Sequence, residues 1–190
     1  MKSGEILKLF EESGALLRGH FKLTSGRHSD VYYEKFALLK NPAVCTKICA
    51  EIAGHFKEKK IQAVVGPTLG GVIIAYEVAR YLGVVAAFAE QGEKGRIFKR
   101  DFSLEIKEKV LIVDDVLTTG TSVNEVIELV NQYGAEIVGI GVVLDRSGGS
   151  VKFEYPFYAV STIDAKSWDP VDCPLCKQGK ELTQRGSRKN

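Results

Sequence analysis

Between residues 62 and 144 the sequence alternates short apolar runs with helical patterns, and this alternation limits the fold more than any other feature. The apolar runs are 63–65, 84–89, 109–114 and 137–144. One helical pattern ends at Leu82 before Gly83, and another spans Thr121 to Tyr133 before Gly134. Such strand–helix alternation predicts an α/β fold whose parallel sheet has helices on both faces.

The flanking sequence predicts further elements of one 190-residue domain. Polar and aromatic alternation in 19–36, around a turn at Ser25-Gly26, predicts a strand-turn-strand unit. Helices are expected at about 3–13 and at 42–58, the second beginning at Asn41-Pro42, and a last strand at about 157–162. Residues 90–102 are charged, contain two glycines and lack a helical period, which predicts a mobile loop that leads into a short hairpin.

Charge and hydropathy exclude some classes of partner. The formal net charge is only +2, so nothing in the overall charge favours nucleic acid. The sequence shows no apolar run of the ~18 residues that a membrane span needs, and its first residues lack a signal-peptide pattern. We therefore expect a cytoplasmic protein with no membrane partner.

The stretch VLIVDDVLTTGTSV, residues 110–123, contains the strongest functional signal. Its apolar beginning predicts a strand buried on both faces, and Asp114 and Asp115 would place two like charges at the end of that strand. Like charges repel and resist desolvation, so a purely structural role suits them poorly. The pair therefore indicates a bound ligand.

The polar turn 117–122 precedes a predicted helix, whose first N–H groups form an anion site. Hydroxyl groups and Gly120 suit close contact with a phosphate, although the lysine and glycine pattern of a Walker A loop is absent. A simple hydroxyl-rich helix cap would have the same composition. The carboxylates suit either sugar hydroxyls or a divalent cation beside the phosphate, and a ribose 5-phosphate meets this description.

The four cysteines form two pairs with different expectations. Cys45 and Cys49 share one face of the predicted helix 42–58, which favours buried core thiols. Cys173 and Cys176 have the spacing of half a zinc site, and three states remain open for them: reduced thiols, a disulfide or a zinc site. The register of Cys45 and Cys49 argues against their completing that site.

The motif VLIVDDVLTTGTS resembles the phosphoribosyl-pyrophosphate (PRPP) signature of the type I phosphoribosyltransferases. Four further segments, LTSGRHS, GPTLGG, DR at 145–146 and DPVDCPLCKQG, resemble the orotate branch of that family, over essentially the whole chain. The resemblance implies a type I phosphoribosyltransferase fold. Its parts would be a small N-terminal hood (1–36), an α/β core (62–163), a flexible flap (90–102) and a C-terminal segment (164–190).

The implied reaction joins orotate to PRPP and releases orotidine 5′-monophosphate and pyrophosphate, a step of pyrimidine nucleotide synthesis. Mg²⁺ would be carried mainly by the pyrophosphate of PRPP, with no metal-binding residues assigned. The residues that the resemblance implies for PRPP are Asp114, Asp115, Val116, Leu117, Thr118, Thr119, Gly120, Thr121, Ser122, Thr68, Gly70, Gly71 and Arg96.

The resemblance also implies an orotate site and a set of catalytic groups. The orotate residues would be Thr118, Arg146, Ser25, Gly26, Arg27, Tyr32 and Tyr33. Arg146 suits the task, because a guanidinium binds a carboxylate through two hydrogen bonds. The catalytic residues would be Asp114, Asp115, Lys94, Lys99 and Arg100. In the family the flap reaches the neighbouring subunit, which implies a homodimer.

The chain departs from the family pattern at two cationic positions. Thr24 stands where many members have a lysine, and Leu69-Gly70 stands where others have a tyrosine–lysine pair. The flap would then supply the missing cations, although a solvated charged hairpin has the same composition. Two other functions share the PRPP signature: transfer to a purine base, and PRPP sensing by a non-catalytic regulator that binds RNA or DNA.

Overall fold

A six-stranded sheet forms the centre of the computed structural model, which describes residues 3–23, 25–163 and 166–184. Its strands are β3 (Ala63–Pro67), β4 (Val85–Gln91), β5 (Arg96–Ile97), β6 (Lys109–Leu117), β7 (Glu136–Asp145) and β8 (Phe157–Thr162). They lie in the order β5-β4-β3-β6-β7-β8, and every pair is parallel except β4 with β5. The predicted parallel sheet is confirmed.

A second sheet joins the two ends of the described chain. It contains β1 (Leu16–Lys22), β2 (His28–Tyr33), β9 (Ser167–Trp168) and β10 (Thr183–Gln184), in the order β10-β1-β2-β9. The expected hairpin at 19–36 is confirmed, with Gly26 N–H donating to Leu23 O at 2.9 Å across its turn. The strands at 167–168 and 183–184 are too short to produce a periodic pattern, so the sequence did not predict them.

The helices cover both faces of the central sheet. They are α1 (Ser3–Glu12), α2 (Lys35–Leu39), α3 (Pro42–Phe56), α4 (Gly70–Leu82), α5 (Thr121–Gln132) and α6 (Pro174–Lys177). One core, which includes Phe10, Ile52 and Ile74, packs against Leu111 of β6. The other contains Val126 of α5 and Ile112, the next residue of β6. Because successive strand residues point to opposite faces, β6 must be apolar throughout its buried part.

Local signals set the ends of two helices. Asn41 Oδ1 accepts a hydrogen bond from Val44 N at 3.4 Å, as expected for an N-cap. Gly83 ends α4 with a φ of 71°, a left-handed conformation that glycine adopts without strain. α3 ends at Phe56 and a 3₁₀ turn, Lys57–Lys59, follows it, so the expected end at residue 58 was slightly late.

The expectation that the central strand ends at residue 114 was wrong. β6 continues to Leu117, because its pairing with β7 persists: Asp114 lies opposite Val142 and Leu117 opposite Asp145. Both aspartates therefore lie inside a strand. The hairpin β4–β5 similarly falls within 90–102 rather than after it, with Glu90 opposite Ile97.

Cys45 and Cys49 are buried in the core, as predicted, with their sulfur atoms 3.9 Å apart. Among the described residues, no helix is both long enough and apolar enough to cross a membrane.

Candidate active site

An open cleft lies beyond the carboxyl ends of β3, β6 and β7, where ligands bind in sheets of this type. It measures about 690 Å³, counting space open to solvent. The residues that line it are Tyr33, Pro67, Thr68, Leu69, Gly70, Asp114, Asp115, Val116, Thr118, Ser122 and Arg146.

The acidic pair lies at the floor of this cleft. Asp114 and Asp115 are only 7% and 6% exposed, and Asp114 Oδ1 accepts a hydrogen bond from Asp115 N at 2.7 Å. Gly70, the first residue of α4, packs so closely that a Cβ there would overlap Asp115 Oδ2. A residue with a side chain at position 70 would therefore displace the carboxylate from its place in the cleft.

The turn after β6 carries the predicted anion site. Thr118 and Thr119 are exposed, and Gly120 has a φ of +78°, which turns the chain into α5. Thr119 Oγ1 and Thr121 Oγ1 lie 3.0 Å apart. The positive end of the α5 dipole and these hydroxyls thus lie beside the two carboxylates.

Arg146 and Tyr33 both line the cleft, and each affects the pKa of the other. Burial lowers the pKa of the Arg146 guanidinium, and the neighbouring Tyr32 and Tyr33 oppose that change. Burial also raises the pKa of the Tyr33 phenol, Asp115 raises it further, and Arg146 acts in the opposite direction. Tyr33 therefore stays a neutral hydroxyl beside a charged guanidinium, and the cleft offers one strong cation for an anionic ligand.

The turn between β3 and α4 forms another part of the cleft lining. Its Thr68–Leu69 peptide bond is cis, and Thr68 N donates to Ala89 O at 3.1 Å. A Cβ at Gly71 would lie 2.6 Å from Pro67 Cδ, so the turn can pack this tightly only with glycine. Thr68, Leu69 and Gly70 face the cleft, whereas Gly71 packs beneath the turn.

Comparison with known proteins identifies the family. A profile of the phosphoribosyl transferase domain matches residues 36–176. The orotate phosphoribosyltransferase of Desulforamulus reducens is 45% identical over 99% of this chain and 98% of its own. That of Pelotomaculum thermopropionicum is also 45% identical, over the full length of both chains. The chain belongs to the orotate phosphoribosyltransferase family.

A solved member of the orotate phosphoribosyltransferase family has the same fold. The enzyme from Aeropyrum pernix is 28% identical and superposes with a TM-score of 0.69, covering 83% of this chain and 93% of its own. The type I phosphoribosyltransferase fold that the sequence predicted is thereby confirmed.

Most flap cations expected from the orotate phosphoribosyltransferase pattern lie away from the cleft. Lys94 is exposed, and both Lys99 and Arg100 contact Glu90, at 3.7 Å and 3.3 Å. Arg96 is different: its side chain is 8% exposed and contacts Glu125, Thr68 and Ala89. It ties the base of the flap to α5 and to the turn at 66–71. None of these four cations belongs to the described lining of the cleft.

The predicted hood residues separate into two groups. Tyr33 lines the cleft and Tyr32 lies near Arg146. Arg27 instead donates to Ser167 O at 2.6 Å and contacts Asp169 at 3.0 Å, which joins β2 to the C-terminal segment. Ser25 and Gly26 form the hairpin turn beside Arg27, and Thr24 falls outside the described residues.

Three residues of the site were not assigned from the sequence. Pro67 and Leu69 line the cleft, and their place in the GPTLGG turn was the signal that could have identified them. Glu125 holds Arg96 at 3.0 Å. It resembles any surface acid of a helix, so no sequence pattern marks it.

Proposed function

We propose that this chain transfers the ribose 5-phosphate of PRPP to N1 of orotate, giving orotidine 5′-monophosphate and pyrophosphate in pyrimidine nucleotide synthesis. The observation that carries the proposal is a single cleft with three features. A helix N-terminus suits a phosphate, two buried carboxylates suit sugar hydroxyls, and Arg146 suits a carboxylate.

PRPP would occupy the side of the cleft formed by β6 and α5. The N–H groups and hydroxyls of Thr118 to Ser122 would bind the 5-phosphate. Asp114 and Asp115 would accept hydrogen bonds from the ribose hydroxyls, which fixes the sugar and uses both buried charges. The turn containing Thr68 and Gly70 would contact the pyrophosphate.

Orotate would bind between the hood and the end of β7. Arg146 would bind its carboxylate through two parallel hydrogen bonds, and Tyr33 would lie next to the base on the hood side. Thr118 also lines the cleft, and its hydroxyl would donate a hydrogen bond to the ring. This arrangement favours orotate over a purine base, which has no carboxylate for Arg146.

The chemistry needs charge stabilisation rather than a covalent nucleophile. As the bond from C1 of the ribose to pyrophosphate breaks, positive charge develops on the sugar and negative charge on the leaving group. N1 of orotate then forms the new bond to C1, and the proton of N1 passes to the departing pyrophosphate or to water. The carboxylates near the ribose suit the positive charge on the sugar. The flap cations Lys94, Lys99 and Arg100 would stabilise the negative charge on the pyrophosphate after the flap closes and excludes water.

Mg²⁺ is the cofactor that this proposal expects, entering with PRPP. The cleft fits a hard cation, because the carboxylates of Asp114 and Asp115 and the hydroxyl of Thr68 are oxygen donors of the kind Mg²⁺ prefers. When bound, Mg²⁺ would neutralise charge on the pyrophosphate.

A base panel tests the proposal. The protein is incubated with PRPP, Mg²⁺ and one of orotate, uracil, adenine or hypoxanthine, and the product is followed by absorbance and chromatography. We expect turnover with orotate alone. Turnover with a purine would show that Arg146 has another role. PRPP binding without turnover of any base would favour a non-catalytic regulator that senses PRPP.

A cytoplasmic homodimer, with the flap reaching the partner's site, belongs to the same proposal. An apolar stripe along α4 supports it: Leu69, Ile73 and Tyr76 follow a helical spacing and are 69%, 41% and 63% exposed. The stripe begins at the cleft, so a second copy packed on it would lie beside the site.

A further inference from the structure

Four potential metal ligands converge where the C-terminal segment meets the hood. His20 lies on β1 and His28 on β2, while Cys173 precedes α6 and Cys176 lies within it. Their nearest ligand atoms all lie within 4.8 Å of one another. His20, His28 and Cys173 are buried, and Cys176 is exposed.

The backbone explains why the pairs face each other. Lys22 is the register partner of His28, and His20 lies two residues from it, so both imidazoles project from one face of the hairpin. The C-x-x-C spacing at a helix start places both thiols on one side of α6, where Lys177 N donates to Cys173 O at 3.2 Å.

The distances suit a tetrahedral ion. Typical zinc–sulfur and zinc–nitrogen bonds require ligand atoms about 3.3–3.8 Å apart. The two histidine nitrogens, His20 Nε2 and His28 Nδ1, are 3.0 Å apart. Three of the four sulfur–nitrogen separations are 3.5 Å from Cys173 to His20, 3.7 Å from Cys176 to His20 and 3.2 Å from Cys176 to His28. All other pairs of ligand atoms lie within 4.8 Å, so shifts of about 1 Å or less would bring all four atoms to bonding geometry.

A hydrogen bond outside the cluster orients one of the ligands. His20 Nδ1 lies 2.9 Å from Lys180 O. Because a carbonyl oxygen only accepts, the proton must be on Nδ1, and the lone pair of Nε2 then points into the cluster. Histidine ligands of metals are typically held in this way by a backbone carbonyl.

Charge balance also favours a metal. Two thiolates neutralise a divalent ion, so a largely buried Cys₂His₂ site carries no net charge. The other cysteine pair provides a comparison within the same molecule: Cys45 and Cys49 pack among apolar residues of the core.

We propose that His20, His28, Cys173 and Cys176 bind a structural zinc ion that fastens the C-terminal segment to the hood. Four protein ligands leave no open position for substrate, which is the pattern of a structural rather than a catalytic zinc. The ion would stabilise the small sheet β10-β1-β2-β9, in which β9 and β10 contribute only two residues each. Tyr33 at the end of β2 belongs to the cleft, so the ion would indirectly help to position the orotate side.

Metal content tests this proposal independently of activity. The untagged, reduced protein is purified, and its zinc is measured by mass spectrometry of the elements. We expect about one equivalent per chain in the wild type and in Cys45→Ala/Cys49→Ala. Cys173→Ser/Cys176→Ser should hold at least tenfold less. Zinc loss from the Cys45/Cys49 variant, or its retention by the Cys173/Cys176 variant, would overturn the assignment.

Cobalt substitution tests the same site in the wild-type protein, so its result does not depend on whether the variants fold. The chain is stripped of metal under reducing conditions and titrated with Co²⁺. A tetrahedral thiolate-bound Co²⁺ gives intense visible absorption that Zn²⁺ then abolishes, and we expect saturation at about one equivalent. Absence of this spectrum, or a Cys173–Cys176 disulfide in protein freshly isolated from the cell, would contradict the proposal.

Discussion

At the scale of single residues, the candidate site depends on buried charges, whose electrostatic interactions are screened less by water than those of exposed charges. Asp114 and Asp115 are nearly inaccessible, yet they face a polar cleft. A carboxylate in such a place interacts with developing charge more strongly than one in water. Two adjacent buried carboxylates therefore suit a ligand that has hydroxyl groups and a reaction whose transition state is positively charged.

Replacing both acids tests this role. We expect Asp114→Asn/Asp115→Asn to lower kcat by about 100-fold or more, as loss of electrostatic stabilisation typically does. The fold should persist, because asparagine keeps the size of the side chain. Steady-state kinetics and thermal unfolding measure the two effects. As a control, Glu58→Gln changes a fully exposed acid, and its kcat should match that of the wild type. Wild-type turnover in the double variant would make the pair structural.

Arg146 and Arg27 were both expected to bind orotate, and the structure separates them. Arg146→Ala should raise the KM for orotate at least about thirtyfold, because it removes one partner of a desolvated charge pair, and should change the KM for PRPP far less. Arg27→Ala should mainly lower the melting temperature, because the Arg27 side chain is 41% exposed and holds the C-terminal segment. An equal effect of both variants on the orotate KM would contradict this division.

At the scale of elements, one buried cation and two aromatic contacts hold the flap to the rest of the protein: Phe98 packs against Tyr133, and Phe102 packs against Phe88. Arg96 contacts α5, the turn at 66–71 and β4 at once, whereas Lys99 and Arg100 each form an ion pair with Glu90. The base of the flap is therefore fixed to the sheet and to α5, while Lys94, Lys99 and Arg100 are exposed on its surface. Sequence alone predicted the flap but not its anchor, because Glu125 lies 29 positions away.

Weakening the anchor should loosen the flap. A lysine cannot replace the planar, multidentate contacts of Arg96, so Arg96→Lys should accelerate hydrogen exchange of the peptide covering 90–102. Arg100→Lys alters an exposed flap arginine that forms an ion pair with Glu90 and should leave that exchange unchanged. Equal exchange in the two variants would show that Arg96 is not the anchor.

At the scale of the whole molecule, the question is whether one subunit completes another's site. The flap cations lie away from the described lining of the cleft, and the apolar stripe on α4 is suited to a second copy. Both features support a homodimer in which the flap acts across the interface.

Mixed dimers can distinguish a flap that acts on the partner's cleft from a flap that acts on the cleft of its own subunit. One variant carries Asp114→Asn/Asp115→Asn, and the other carries alanine at Lys94, Lys99 and Arg100; each alone should be nearly inactive. If the flap acts on the partner, random mixing should restore about a quarter of wild-type activity, because half of the dimers then contain one intact site. No recovery, with mixing verified by native mass spectrometry, would place the flap over its own subunit's cleft.

The sequence by itself determined the features whose signals are local. Buried strands followed by helices implied the parallel sheet, and the motif at 110–123 predicted a turn suited to a phosphate, because hydropathy, capping and turn chemistry act over a few residues.

Only the tertiary structure decided which distant residues meet. It placed Arg146 in the cleft and Arg27 against the C-terminal segment, and it kept the acidic pair inside β6 through pairing with β7. It also brought His20 to Cys173, 153 positions away, and so supplied the second half of a metal site that the cysteine spacing had left incomplete. Contacts over such separations depend on how whole elements pack, and no local pattern of residues encodes them.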